Sequence, residues 1–554
     1  MESRKVLKRM MLSTLAVVFI GVVFWIAITS DKEETTVESN ESAENDNKKD
    51  EEPNFSEVAV HDPSIIKEED TFYIFGTHIE AAKSKDLMNW ESFTNGYETP
   101  NNSLYGDLSA NLSESFEWAG EDDADSQGGF AVWAPEIFWN EDYVNDDGST
   151  GAYMIYYSAS STYIRSAIGY AVSKDIEGPY EYVDTIVYSG FTEQEDYDEN
   201  SDVNKKWTNT NIPDLVDEGD VSEVNPSWFN EDGSYNNTMY PNAIDANVFY
   251  DKDGTLWMSY GSWSGGIFLH ELNKETGGVI RPEKDGETED GRMIDRYFGT
   301  KISGGYGKSG EGPYIVYDEE SKYYFLYKTY GWLGSDGEYN MRVFRSESPE
   351  GPFVDAQGNP AVLPEDTDNA PFGNKLMGHY EFKSTSDDAS LGYFSPGHNS
   401  VYVDPDTNQQ YLVFHTRFPD SGEKFEVRVH PLYMNENDWP MAAPYRYSGE
   451  SLEEVSEENV VGDYKFINHK KDNTDEVKSS SEITLHDNYE VSGEIEGTWE
   501  LLNENEVRVT VDDETYSGVF VKQWDPLEEQ NVWTFTAASD QGITIWGSRT
   551  SALK

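Results

Sequence analysis

The sequence predicts an all-β protein, a five-bladed β-propeller followed by a smaller β-sandwich or β-barrel. Three observations carry this. One hairpin template recurs five times; aromatic and glycine content is high, with 36 Tyr, 26 Phe, 15 Trp and 45 Gly; and long runs with a helical period are few. Each copy is an apolar strand, a polar turn with Asp, Asn or Glu, and a second strand rich in Tyr, Phe and Ile. Five such sheets set radially close on themselves and leave only short edges. A single sandwich would not explain why five hairpins share a template.

In chain order, Arg4, Lys5, Lys8 and Arg9 precede an apolar run from about Met10 to Thr29. Residues 1–30 thus read as either a secretory signal peptide or a membrane anchor, and both export the remainder of the chain. Residues 31–57 collapse to Glu, Asp, Ser, Asn and Thr, which reads as a disordered linker. The propeller is expected over 58–447. Its hairpins are HDPSIIKEEDTFYIFGT (His61 to Thr77), WAPEIFWNEDYVNDDGSTGAYMIYYS (Trp133 to Ser158) and NAIDANVFYDKDGTLWMSYG (Asn242 to Gly261). The fourth and fifth are EGPYIVYDEESKYYFLYKT (Glu311 to Thr329) and HNSVYVDPDTNQQYLVFHTR (His398 to Arg417). The acidic, turn-rich stretch from about Phe191 to Tyr240 reads as an insertion over one face. Short alternating strands such as Glu506 to Val511 and Tyr516 to Val521 then fill 450–554, the second β-domain.

Composition excludes several functions. The net charge is −66, and residues 1–57 hold only about −5 of it, so the folded part repels nucleic acid and anionic membranes. Membrane contact is expected only through the N-terminal segment. There are no cysteines, which removes disulfides, thiolate zinc sites and cysteine nucleophiles. The motif Asp251-Lys252-Asp253-Gly254 opens like a calcium loop but lacks the remaining ligands, and reads as a hairpin turn.

In a propeller the first strand of each blade lines the central channel, so residues at the strand entries converge. Asp62 stands six residues before Glu68 at its turn, Asp245 six before Asp251, His398 six before Asp404, and Glu311 seven before Asp318. The second unit offers Ala134 there, with Glu136 two further on. Three carboxylates and an imidazole at one mouth suggest acid–base hydrolysis of a glycosidic bond, which needs one protonated and one ionised carboxyl. Glu311, with the longer stem and flanked by glycines, is the better placed to reach a glycosidic oxygen.

The set HDPS, WAPE, NAIDANV, SWSGG (Ser262 to Gly266), EGPYIVY, PGHNSV (Pro396 to Val401) and HTRF (His415 to Phe418) resembles the endo-α-1,5-L-arabinanases of glycoside hydrolase family 43. The resemblance covers about residues 58 to 447, and the tail, with GTWEL, TYSGVFVKQWD and ITIWGS, is similar to the C-terminal β-domain of their two-domain members. It implies inverting cleavage of internal arabinan bonds, with Asp62 as general base, Glu311 as general acid and Asp245 tuning and orienting Glu311. It also implies a metal, calcium, facing His398 largely through water. Substrate contacts are expected from Trp90, Trp133, Asn242, Ser264, His415 and Arg417, although core or structural roles fit Trp90, Trp133, His415 and Arg417 equally. The expected substrate is arabinan or an arabino-oligosaccharide, and the expected state a monomer. Two rivals stay open: an exo-acting α-L-arabinofuranosidase or β-xylosidase on the same fold, and a propeller that binds carbohydrate without cleaving it.

Overall fold

The computed structural model describes residues 52–553 apart from 121–130, 163, 200, 307 and 387. The N-terminal segment 1–30 and the linker up to 51 lie outside the described residues. No helix among those described is long and apolar enough to cross a membrane. The chain is all-β with a propeller-like arrangement and a C-terminal closed barrel of eight strands. The barrel settles the choice the sequence left between sandwich and barrel.

Beside the barrel lie five open sheets, three of four strands, one of seven and one of six, antiparallel except for one short strand at the edge of the last. Their inner strands are β1 (Ser64–Glu68), β2 (Val132–Val144), β3 (Asn247–Tyr250), β4 (Glu311–Tyr317) and β5 (Ser390–Val403). Each of these packs on the next, and β5 returns to β1. The strand sequences explain the sheets: β4 pairs Tyr314 to Tyr317 with the fully buried return strand Tyr324–Tyr330, and aromatic side chains fill the space between sheets. The turn at Asp251 is a hairpin turn as expected. Its carboxylate accepts from the backbone N–H groups of Asp253 and Thr255 at 2.9 and 2.8 Å.

Side-chain hydrogen bonds stitch the inner strands together. Ser400 Oγ on β5 donates to the carbonyl of Pro63, beside β1, at 2.6 Å. Ser64 Oγ donates to Glu136 on β2 at 2.6 Å, and Asn247 Nδ2 on β3 donates to the other oxygen of Glu136 at 3.1 Å. The Ile315 N–H on β4 then donates to Asn247 Oδ1 at 2.9 Å. Burial pushes the Glu136 carboxyl up to about 8, against the pull of its hydrogen-bond donors Ser64 and Asn247.

The stretch from Phe191 to Tyr240, expected to be a polar, turn-rich insertion, is not polar throughout. Phe191, Ile212, Trp228 and Tyr235 are buried, and Phe191, Trp228 and Tyr235 pack on Phe298 of the third sheet.

The barrel interior is filled by Tyr464, Trp499, Phe520 and Phe535 among others. It is welded to the fifth sheet: Trp546 Nε1 and Thr536 Oγ1 both donate to the Ala442 carbonyl at 2.8 Å. The segment Lys478–Ser479 adds a parallel strand to Tyr380–Lys383. The described residues therefore form one compact unit, although the sequence pattern divides it near 447–450.

Candidate active site

At the entry of the inner strands every sheet contributes a dipeptide to one mouth. The five are His61-Asp62, Trp133-Ala134, Ile244-Asp245, Glu311-Gly312 and Gly397-His398. In each the second residue has a positive φ: 53° at Asp62, 33° at Ala134, 59° at Asp245, 58° at Gly312 and 48° at His398. Left-handed backbone at a non-glycine residue costs about 1–3 kcal/mol, and here it recurs where ionisable side chains must turn inward. The rung also corrects the equivalence expected from spacing. Gly312, six residues before Asp318, is the true counterpart of Asp62, Asp245 and His398; Glu311 belongs to the preceding position, the one held by Trp133 and Ile244 in their sheets.

His61, Asp62, Thr77, Trp133, Ile244, Asp245, Glu311, Leu333 and His398 enclose a cavity of about 230 Å³. A narrower void of about 20 Å³ runs below it past Ser64, Glu136 and Tyr314. The four ionisable residues singled out from the sequence, Asp62, Asp245, Glu311 and His398, therefore do meet.

Their environments differ. Three imidazoles surround Asp62 Oδ1, with Nδ1 of His61 at 2.8 Å, His398 at 3.1 Å and His415 at 3.6 Å. Its Oδ2 accepts from Thr77 Oγ1 at 2.5 Å. Burial pushes this carboxyl up, but the opposing charges and hydrogen bonds of His398 and His61 outweigh it and hold Asp62 well below the usual carboxylate range. For His398 burial acts downward, and Asp62 followed by Asp245 raise it to about 10. His415 is fully buried, which together with His61 keeps it well below its usual value and neutral. Its ring stacks on His61 at 3.7 Å.

Asp245 is buried, and its carboxyl is pushed up to about 7, by burial first and by the charges of Glu311 and Asp62 against the pull of His398. One of its oxygens accepts the Gly312 N–H at 3.1 Å, so it grips the backbone next to Glu311. Glu311 itself takes three donors: Tyr339 OH at 2.6 Å on Oε1, and Trp263 Nε1 at 2.7 Å and Ser262 Oγ at 3.1 Å on Oε2. Hydroxyls can also accept, so Tyr339 and Ser262 can serve either protonation state of Glu311.

The structure corrects most of the expected sugar contacts. Of that set, Trp133 alone lines the cavity. Trp90 is 7% exposed and packs in the core with Ile74, Leu87 and Val429, because its strand edges the first sheet. Asn242 is buried and accepts from Ser189 Oγ at 3.2 Å. Ser264 is buried beside the turn, while its neighbours Ser262 and Trp263 are the ones that reach Glu311. His415 lies behind Asp62, and Arg417 is spent on Glu423 at 2.7 Å. Thr77 and Tyr339 are not found from the sequence, because a lone hydroxyl in a turn or loop beside a strand carries no spacing signal.

His61, Asp62 and His415 bring donor atoms within 4.8 Å of one another. This set is rich in nitrogen, whereas calcium takes six to eight oxygens. Both oxygens of Asp62 are already engaged, so the residues fit calcium only as an ion that keeps most of its water.

Comparison with known proteins agrees with this geometry. Residues 224–440 match the model of glycosyl hydrolases family 43, and residues 444–547 match its C-terminal lipocalin-like domain. The extracellular endo-alpha-(1->5)-L-arabinanase 2 of Bacillus subtilis (strain 168) is 40% identical over 90% of this chain and 94% of its own. Among solved structures, the endo-1,5-alpha-L-arabinanase of Thermotoga petrophila RKU-1 aligns with a TM-score of 0.75 and 37% identity, covering 90% of this chain and all of the other. A family 43 glycoside hydrolase of Bacillus licheniformis gives 0.73 and 39%, covering 90% and 99%. With both β-domains matched and identity of this order running through nine-tenths of the sequence, the chain belongs to glycoside hydrolase family 43.

Proposed function

We propose that this protein is an exported endo-α-1,5-L-arabinanase that cuts internal bonds of arabinan with inversion. The observation that carries the reading is one cavity in which Asp62 is held ionised by imidazoles while Asp245, pushed up to about 7, sits beside Glu311. The names of the relatives support the substrate and the extracellular setting. In this reading the five sheets are five blades, supported by the cyclic packing of β1 to β5. The protein is proposed to act as a monomer.

Asp62 is the base that takes a proton from water on one side of the sugar, and Glu311 the acid that protonates the leaving oxygen on the other. Asp245 is a positioning residue: it fixes Gly312 and keeps negative charge near Glu311. Calcium is proposed to face His398 within a water shell and, when bound, to add positive charge beside the three carboxylates. Incubation with linear and branched arabinan, with and without a chelator, tests the whole reading. A ladder of arabino-oligosaccharides from the linear polymer is expected, with activity falling in chelator; release of arabinose alone would overturn the endo assignment.

Asp245→Asn should keep the contact to the Gly312 N–H through its amide oxygen and lose the charge. Asp245, pushed up to about 7, is expected to contribute an ionisation in the neutral range of the kcat/KM profile, and the variant should lose that ionisation along with activity. An unchanged pH–rate profile would remove Asp245 from the mechanism.

A further inference from the structure

Trp332 is 64% exposed, the most exposed of the large apolar side chains among the described residues. It belongs to the loop that leaves the fourth sheet after Tyr330, and the next residue, Leu333, lines the catalytic cavity. An indole left in water beside an active site has an unmet apolar face of about the size of a sugar ring.

The loop is held rigidly, and to the catalytic apparatus. The Trp332 N–H donates to Glu338 Oε2 at 3.2 Å, and the Gly337 N–H closes a turn on the Gly334 carbonyl at 2.9 Å. That carbonyl also accepts from Ser395 Oγ at 2.5 Å. Ser335 gives its N–H and hydroxyl to Glu423 Oε1 at 3.0 and 2.5 Å, while Arg417 holds the other oxygen of Glu423 at 2.7 Å. Two residues past the turn, the loop ends in Tyr339, whose hydroxyl binds Glu311. The indole lies against Gly334, where an added Cβ would stand 2.9 Å from its Nε1. A pre-set aromatic face loses little entropy on binding, which is what a stacking platform requires.

We propose that Trp332 is a stacking platform for an arabinofuranose ring outside the cleavage point, and that Arg417 acts indirectly by fixing, through Glu423, the loop that presents it. The occupant is a further unit of the same polysaccharide chain. Trp133 from the second sheet and Leu333 from the fourth both line the cavity, so a chain crossing the carboxylates leaves past Trp332. This rests on the arabinan reading and adds to it a contact that only longer substrates reach.

The test compares Trp332→Ala, Trp332→Phe and wild type on arabinotriose, arabinohexaose and linear arabinan. Trp332→Ala is expected to raise KM by about five- to tenfold on the polymer, the scale of one aromatic contact, with the penalty growing with substrate length and kcat changing less. Trp332→Phe, which keeps a flat ring, should recover most of the loss. A penalty independent of length, no penalty at all, or a Phe variant as weak as Ala would overturn the platform. Wild-type cleavage of the same arabinan, measured alongside, separates failure of the platform from failure of the substrate reading.

Discussion

Glu311→Gln is expected to lower kcat on linear arabinan by a factor of about 10²–10⁴, the range of a lost general acid, while the protein still folds and binds the polymer. Glutamine preserves the surroundings: its carbonyl can accept from Trp263 and Ser262 as the carboxylate does, and its amide can donate to the Tyr339 hydroxyl. What it lacks is a proton to give to a departing sugar oxygen. An activated substrate whose leaving group needs no proton, such as a dinitrophenyl arabinofuranoside, should therefore suffer far less, by about tenfold or under. Equal losses on both substrates would assign Glu311 to something other than proton donation. A shifted melting temperature with weak polymer binding would point to its role in holding Tyr339 and the loop before it.

Much of this site is legible in the sequence because it repeats. An Asp or His at a constant offset before a hairpin turn is a spacing signal, and Asp62, Asp245 and His398 do share one backbone conformation. Glu311 is found by the same signal although it breaks the rule by one residue, since its glycine takes the strained position. The substrate contacts fare differently, for a physical reason. Trp90, Asn242, Ser264 and Arg417 stand in motifs, but a motif residue can serve by bracing the scaffold. Trp90 packs in a core, and Arg417 anchors a loop through Glu423. Contacts that hold Glu311, from Tyr339 and Ser262, come from loops far apart in the chain. Only the closed fold brings them together, and no period or spacing announces them. The C-terminal domain shows the same limit: alternating strands announce a small β-domain, while closure into a barrel depends on pairing Gly462–Asn468 with Thr544–Arg549 across the whole domain.

Asp62→Asn should be at least as damaging, about 10²–10⁴ in kcat, but with a different signature: the loss is expected on arabinan and on the activated arabinofuranoside alike. In a single displacement, water must be deprotonated as it attacks, whatever the leaving group. Asp62 is suited to this because its charge survives burial. His61, His398 and Thr77 turn hydrogen-bond donors toward it, and the net result is a carboxyl well below the usual range. A base held low stays ionised as pH falls, so the acidic limb of wild-type kcat/KM should lie below the usual carboxylate range rather than near Asp245's value of about 7. Asparagine can keep an oxygen toward the imidazoles, yet its amide donor then faces Thr77 Oγ1, whose own O–H loses the carboxylate oxygen it donated to. That mismatch costs about 1–3 kcal/mol and should appear as a modestly lower melting temperature. If Asp62→Asn retains the activated substrate as Glu311→Gln does, the two roles are exchanged: Asp62 becomes the donor, and the imidazole cage around it loses its meaning as a device for keeping a base charged.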